Sequence, residues 1–124
     1  MTGLSLVAVV ACASPRERAY HEAVNDYKRS EAAAVEFTRA NVKQLVAATK
    51  AFHVSAGRWP RTLIELSDFA LENHVPLDFP AFTEVTFAAM DDGSVQAHYD
   101  VNCDRFKNGQ YQFSQTGSVN VKAR

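Results

Sequence analysis

The chain has 124 residues, enough for one domain of ordinary size. Hydrophobic residues make up 47% and charged residues 22%, which excludes disordered, collagen-like and membrane-bundle classes. With 13 basic and 14 acidic residues the net charge is -1, and nothing in the balance points to a nucleic-acid partner.

All of the charges lie from Arg16 onward, so the first fifteen residues form an uncharged start. Residues 4–13 read Leu-Ser-Leu-Val-Ala-Val-Val-Ala-Cys-Ala. A bilayer-spanning helix needs roughly 20 apolar residues. This run is about half as long and fits the apolar region of a secretory signal. Val9-Val10-Ala11-Cys12 is similar to a bacterial lipobox, in which Cys12 becomes the lipidated first residue of the mature protein. Ala11-Cys12-Ala13 also satisfies the small-x-small rule for ordinary cleavage before Ser14. A third pattern, Gly3-Leu4-Ser5-Leu6-Val7, is similar to a prepilin processing site, with Ala8 where that motif carries Glu. The lipobox is the favoured reading, because it alone gives the Cys a reason. Processing after Gly3, Ala11 or Ala13 stays open. On the favoured reading Cys103 is the one thiol besides the anchor.

Ser14-Pro15-Arg16-Glu17 is a helix-start signature: a capping Ser, Pro in the first turn, and Glu at capping-box spacing. Neither Gly nor Pro recurs before Gly57, so the sequence predicts a helix of about 40 residues, roughly 60 Å long. A small domain is about 30 Å across, so half of this helix must project or bend. The half from Arg16 to Glu31 holds four charges of each sign and only a thin apolar stripe, Tyr20, Val24 and Tyr27. That stripe is a candidate partner surface on a solvated spacer. In the second half Val35, Thr38, Val42, Leu45, Val46, Thr49 and Phe52 predict a core-facing stripe, with Ala40, Ala47, Ala48 and Ala51 admitting a close layer.

Gly57-Arg58-Trp59-Pro60 reads as a turn, with Trp59 covering the core at that corner. Thr62 and Glu65 repeat the capping-box spacing and open a short helix to about Asn73, its apolar residues being Leu63, Ile64, Leu66, Phe69 and Ala70. After Pro76 the apolar period changes from 3.6 to 2. Strands are predicted over 82–90, 95–101, 110–114 and 119–122, with turns at Asp91-Asp92-Gly93, Asn108-Gly109 and Thr116-Gly117. The expected fold is α+β: a long N-terminal helix laid on a four-stranded antiparallel meander, with a short helix between. The division along the chain is a signal segment over 1–11 ending at Cys12, a polar helical spacer over 12–31, and the α+β domain over 32–124.

That order of elements, with Phe52, Gly57-Arg58-Trp59-Pro60 and Leu63-Ile64-Glu65-Leu66 at its corner, resembles the pilin and type II secretion pseudopilin family. The resemblance implies a helix whose second half packs on an antiparallel sheet, and a role in secretion or pilus machinery. Without the family's membrane span and its Glu at position 8, a pilin-like domain on a lipid anchor fits better than a fibre subunit.

The sequence carries no pattern for catalysis or cofactors. His21, His53, His74 and His98 stand at no metal-ligand spacing. Asp91-Asp92-Gly93 lacks the rest of a Ca²⁺ loop. His98 and Cys103 lie five residues apart, on opposite faces of any one strand. The polar sheet face, with Gln96, His98 and Asp100 at its centre, is the second candidate partner surface. The expectation is a non-enzymatic, exported lipoprotein of the bacterial periplasm. It takes no cofactor or metal, is held to a membrane by lipidated Cys12, and contacts envelope or secretion proteins. A minor pseudopilin and a small soluble ligand-binding domain are the alternatives.

Overall fold

The first helix, α1 (Pro15–Ala56), runs without a break for 42 residues in the computed structural model, which describes residues 14–102 and 115–123. Its ends form as the sequence predicts. The Ser14 hydroxyl accepts from the Glu17 N–H, and Gly57, at φ 73°, takes the left-handed position that closes the helix. At 1.5 Å per residue α1 is about 63 Å long. Nothing in residues 14–33 is buried; burial begins at Ala34.

The buried face of α1 consists of Ala34, Thr38, Asn41, Leu45, Ala48, Thr49 and Phe52. This corrects the predicted stripe by part of a turn. Val35 is exposed, as are Ala40 and Ala47, and Val42 and Val46 are half-buried. Ala34 and Ala48 let the packed layer come close to the helix backbone. The polar members bond their own helix: Thr38 Oγ1 donates to Ala34 O (2.8 Å), Thr49 Oγ1 to Leu45 O (2.6 Å) and Asn41 Nδ2 to Phe37 O (2.8 Å). Each keeps a partner within one turn, so burial strands no polar group.

Helix α2 (Leu63–Glu72) packs beside α1, with Leu66 and Ala70 buried and Phe69 edge-on to Phe52 at 5.3 Å. Ile64, predicted on its apolar side, faces solvent. The helix closes through Val75 N–H on Ala70 O (2.8 Å), which places His74 at φ 56°, a position where Gly is usual. A single 3-10 turn, Phe79–Ala81, leads into the sheet.

The sheet is antiparallel, in the order β1 (Phe82–Ala89), β2 (Val95–Val101), β3 (Gln115–Val121). Asp91-Asp92-Gly93 forms the predicted hairpin turn. Gly93 N–H returns to Met90 O, Gly93 sits at φ 86°, and Met90 N–H pairs with Ser94 O. The described residues thus hold three strands where four were expected. The predicted strand over 110–114 and the turn at Asn108-Gly109 lie outside the described residues. The place beside β2 is filled by the last strand of the prediction. Thr116-Gly117 is no turn: both residues lie inside β3, with Gly117 opposite Tyr99. A Cβ at Gly117 would stand 2.5 Å from the Tyr99 hydroxyl, so the glycine makes room for a ring across the strand and not for a bend. The predicted alternation holds over most of the sheet, with Val85, Ala97, Val101 and Val121 buried under the helices, and fails at Ala89, expected inward on β1 but exposed. Leu45, Leu66, Val95 and Val121 are the largest fully enclosed side chains.

Candidate functional site

The two candidate surfaces lie apart. Tyr20, Val24 and Tyr27 stand on the projecting half of α1, the tyrosines 67% and 43% exposed. Gln96, His98 and Asp100 lie on the sheet face turned away from α1. Cys12, the proposed lipid site, and Cys103 lie outside the described residues.

Strand register turns the outer face into three rungs. Glu84, Asp100 and Thr116 form the first; Thr86, His98 and Ser118 the second; Ala88, Gln96 and Asn120 the third. Gln96 Nε2 donates to Ser118 Oγ (3.2 Å), and Asn120 Nδ2 donates to Ser94 Oγ (2.9 Å). A shallow depression of about 270 Å³ opens where the first two rungs meet, lined by Glu84, Thr86, His98, Tyr99, Asp100 and Thr116. Glu84 and Asp100 face one another directly, an arrangement that costs stability between like charges. The face therefore offers acceptors and a local negative charge to an approaching group. Among the described residues no group of three His, Cys, Asp or Glu side chains is placed to hold a metal ion. No described helix is long and apolar enough to cross a membrane.

The corner between the helices carries the densest polar network, which sequence reasoning missed. Arg58 grips Glu65 with both arms, at 2.9 and 2.8 Å, and lies over the Phe52 ring at 5.2 Å. Glu65 Oε1 also accepts from the Arg61 N–H (2.9 Å), while the Glu65 N–H is capped by Thr62 Oγ1 (3.1 Å). The Thr62/Glu65 spacing was the available signal. The carboxylate reaches back to residue 61, one beyond the capping residue, with Arg58 holding it there. Trp59 is half-buried; its ring lies 4.0 Å from His53 and its Nε1–H donates to Gly93 O (3.0 Å), tying the corner to the first hairpin. The core cover expected of Trp59 is thus replaced by a clasp on His53 and the hairpin, outside the apolar cluster.

This corner predicts an acid response. The Arg58 guanidinium, and after it the Arg61 N–H, hold Glu65 down to about 2 from an ordinary 4.5. The folded state binds the proton more weakly than the unfolded chain, so the stabilisation is present above about pH 4.5 and is lost as pH falls toward 2. The thermal midpoint of the wild type, followed by circular dichroism, is expected to exceed that of Glu65→Gln at pH 6, with the gap closing by about pH 2. A gap constant across that window would show that the carboxylate charge does not stabilise the corner.

No family model, characterised protein or solved structure matches the chain.

Proposed function

We propose that this protein is a non-enzymatic, exported lipoprotein that faces the periplasm and works through contacts with envelope proteins of secretion or pilus machinery. The observation that carries the reading is the start of α1. A capped, solvated helix begins at Ser14–Pro15, two residues beyond the lipobox Cys12, and runs through residue 33 with no buried residue. A lipid at Cys12 would hold one end of a rigid rod whose other end carries the domain, and the rod would set their separation. A pilin-like arrangement, with the second half of the helix against an antiparallel sheet, agrees with this reading.

The intact mass of the mature protein extracted from membranes tests it. The expected species begins at Cys12 and carries a tri-acyl adduct that disappears in Cys12→Ser, releasing the protein to the soluble fraction. A mature form beginning at Leu4 would overturn the reading in favour of a minor pseudopilin. An unmodified soluble form beginning at Ser14 would overturn it in favour of a free ligand-binding domain.

A further inference from the structure

The two edges of the sheet are finished differently. At the β1 edge Thr62 bridges to Thr86. Among the described residues nothing pairs with the outer edge of β3. β3 also lacks the usual guards of an open edge. Between Gln115 and Val121 it carries no charge and no Pro, and it pairs with β2 residue for residue without a bulge. Its outward N–H and C=O groups form a row ready for a further strand.

Helix α1 overhangs that edge. Of the three strands it lies nearest β3. A helix is about 10 Å wide and strands are about 4.8 Å apart, so α1 roofs about two strand positions. One flank of its buried face turns toward the start of β1: Phe37 shares a depression with Pro80 and Ala81, and Gln44 Oε1 accepts from the Asp78 N–H (3.3 Å). At about 100° per residue, Val35, Val42 and Val46 fall together on the opposite flank. Val35 is 39% exposed, and Val42 and Val46 are half-buried. These valines roof the strand position beside β3.

We infer that this position receives a β-strand of another protein, paired backbone to backbone with β3, its aliphatic side chains toward the three valines and Asp or Glu flanking them. The inference rests on the proposed role in protein contacts, which it deepens, and does not depend on the anchor. A strand is the fitting occupant because strand addition satisfies the edge's backbone groups, which a docked helix leaves to water. Its charge follows from the next ridge of α1, formed by Arg39, Lys43 and Lys50. Arg39 bonds Glu36 at 2.8 Å, which leaves the exposed Lys43 and Lys50 to meet the partner. The same lysines disfavour a second copy of this chain. Two β3 strands paired about a two-fold axis would bring the same flank of each α1 together, lysine ridge against lysine ridge.

Synthetic peptides that alternate Val and Thr over about seven residues, flanked by Glu or by Lys, test the inference against the full 124-residue chain by fluorescence anisotropy. The Glu peptide is expected to bind about tenfold more tightly. N-methylation of its alternate amides should abolish binding in one phase and be tolerated in the other, because only every second N–H faces β3. Lys43→Glu with Lys50→Glu should turn the preference toward the Lys peptide with the thermal midpoint little changed, since both side chains are exposed. By hydrogen exchange, the β3 amides that point away from β2 should be open in the free chain and protected by the Glu peptide. Equal affinity for the two peptides, binding of neither, tolerance of N-methylation in both phases, outward amides already protected in the free chain, or dimerisation through β3 would overturn the inference. A failure here, with the Cys12 adduct intact by mass, would leave the anchor reading standing.

Discussion

Replacing Leu45 by Ala is expected to remove about 2–5 kcal/mol of stability, and Leu66→Ala a similar amount. Both side chains have no exposed surface, one on α1 and one on α2, within a single apolar cluster. Each truncation loses the transfer free energy of the missing methyl groups and leaves a cavity. Neither helix can close that cavity freely, because Arg58–Glu65 and the Phe52–Phe69 contact fix their spacing. A domain of this size has only about 5–15 kcal/mol in total, so the loss is a large fraction of it. Urea denaturation checks this, with a lower midpoint at an unchanged slope. Val54→Ala, at a position 79% exposed, serves as control and should cost less than about 0.5 kcal/mol. A loss below about 1 kcal/mol for both leucines would mean that the two helices do not share a tightly packed core.

The second large effect sits at Gly117. Glycine inside a strand normally weakens it, so Gly117→Val in an open strand would stabilise. Here the new Cβ would stand 2.5 Å from Tyr99 Oη and 2.8 Å from Tyr99 Cζ. The ring is packed against the core cluster and cannot simply swing aside. Gly117→Val is therefore expected to destabilise by about 1–3 kcal/mol, the usual cost of overpacking. The sign should reverse in a Tyr99→Ala background, where the valine finds space and the strand gains a better residue. A double-mutant cycle by chemical denaturation reads this directly, as a coupling of at least about 1 kcal/mol. Equal effects of the valine in both backgrounds would show that Tyr99 does not dictate the glycine.

Gly117 also shows where sequence reading reached its limit. Thr-Gly after an alternating run has the composition of a turn, and only the cross-strand neighbour reveals a different cause. That neighbour comes from the pairing of β2 with β3, in which Tyr99 lies opposite Gly117. Composition alone does not encode that register. The helices were legible because their signals are local: Ser14 and Thr62 cap, and Gly57 closes. The inward residues of β1 and β2 were legible because alternation fixes a face without fixing a partner. The same logic placed Gln96, His98 and Asp100 together on the outer face. It could not pair Asp100 with Glu84. On α1, counting apolar letters selected Val35, Val42 and Val46. The buried positions are instead Ala34, Asn41 and Ala48, since small side chains and a self-bonded amide allow closer approach than β-branched valines do. The Arg58–Glu65 grip escaped because its seven-residue separation crosses a turn, where helix spacing rules say nothing.

The unbroken length of α1 sets how far its first turn and the packed domain can influence each other. From Ser14 to Ala34 the helix rises about 30 Å, at 1.5 Å per residue. In physiological salt the Debye length is about 8 Å, so this distance exceeds three screening lengths. Arg16, Glu17 and Arg18 at the tip are thus electrically silent toward Glu84 and Asp100 on the sheet. An event at the tip can reach the domain only as torque or tilt carried by a stiff backbone, and salt will leave that coupling untouched.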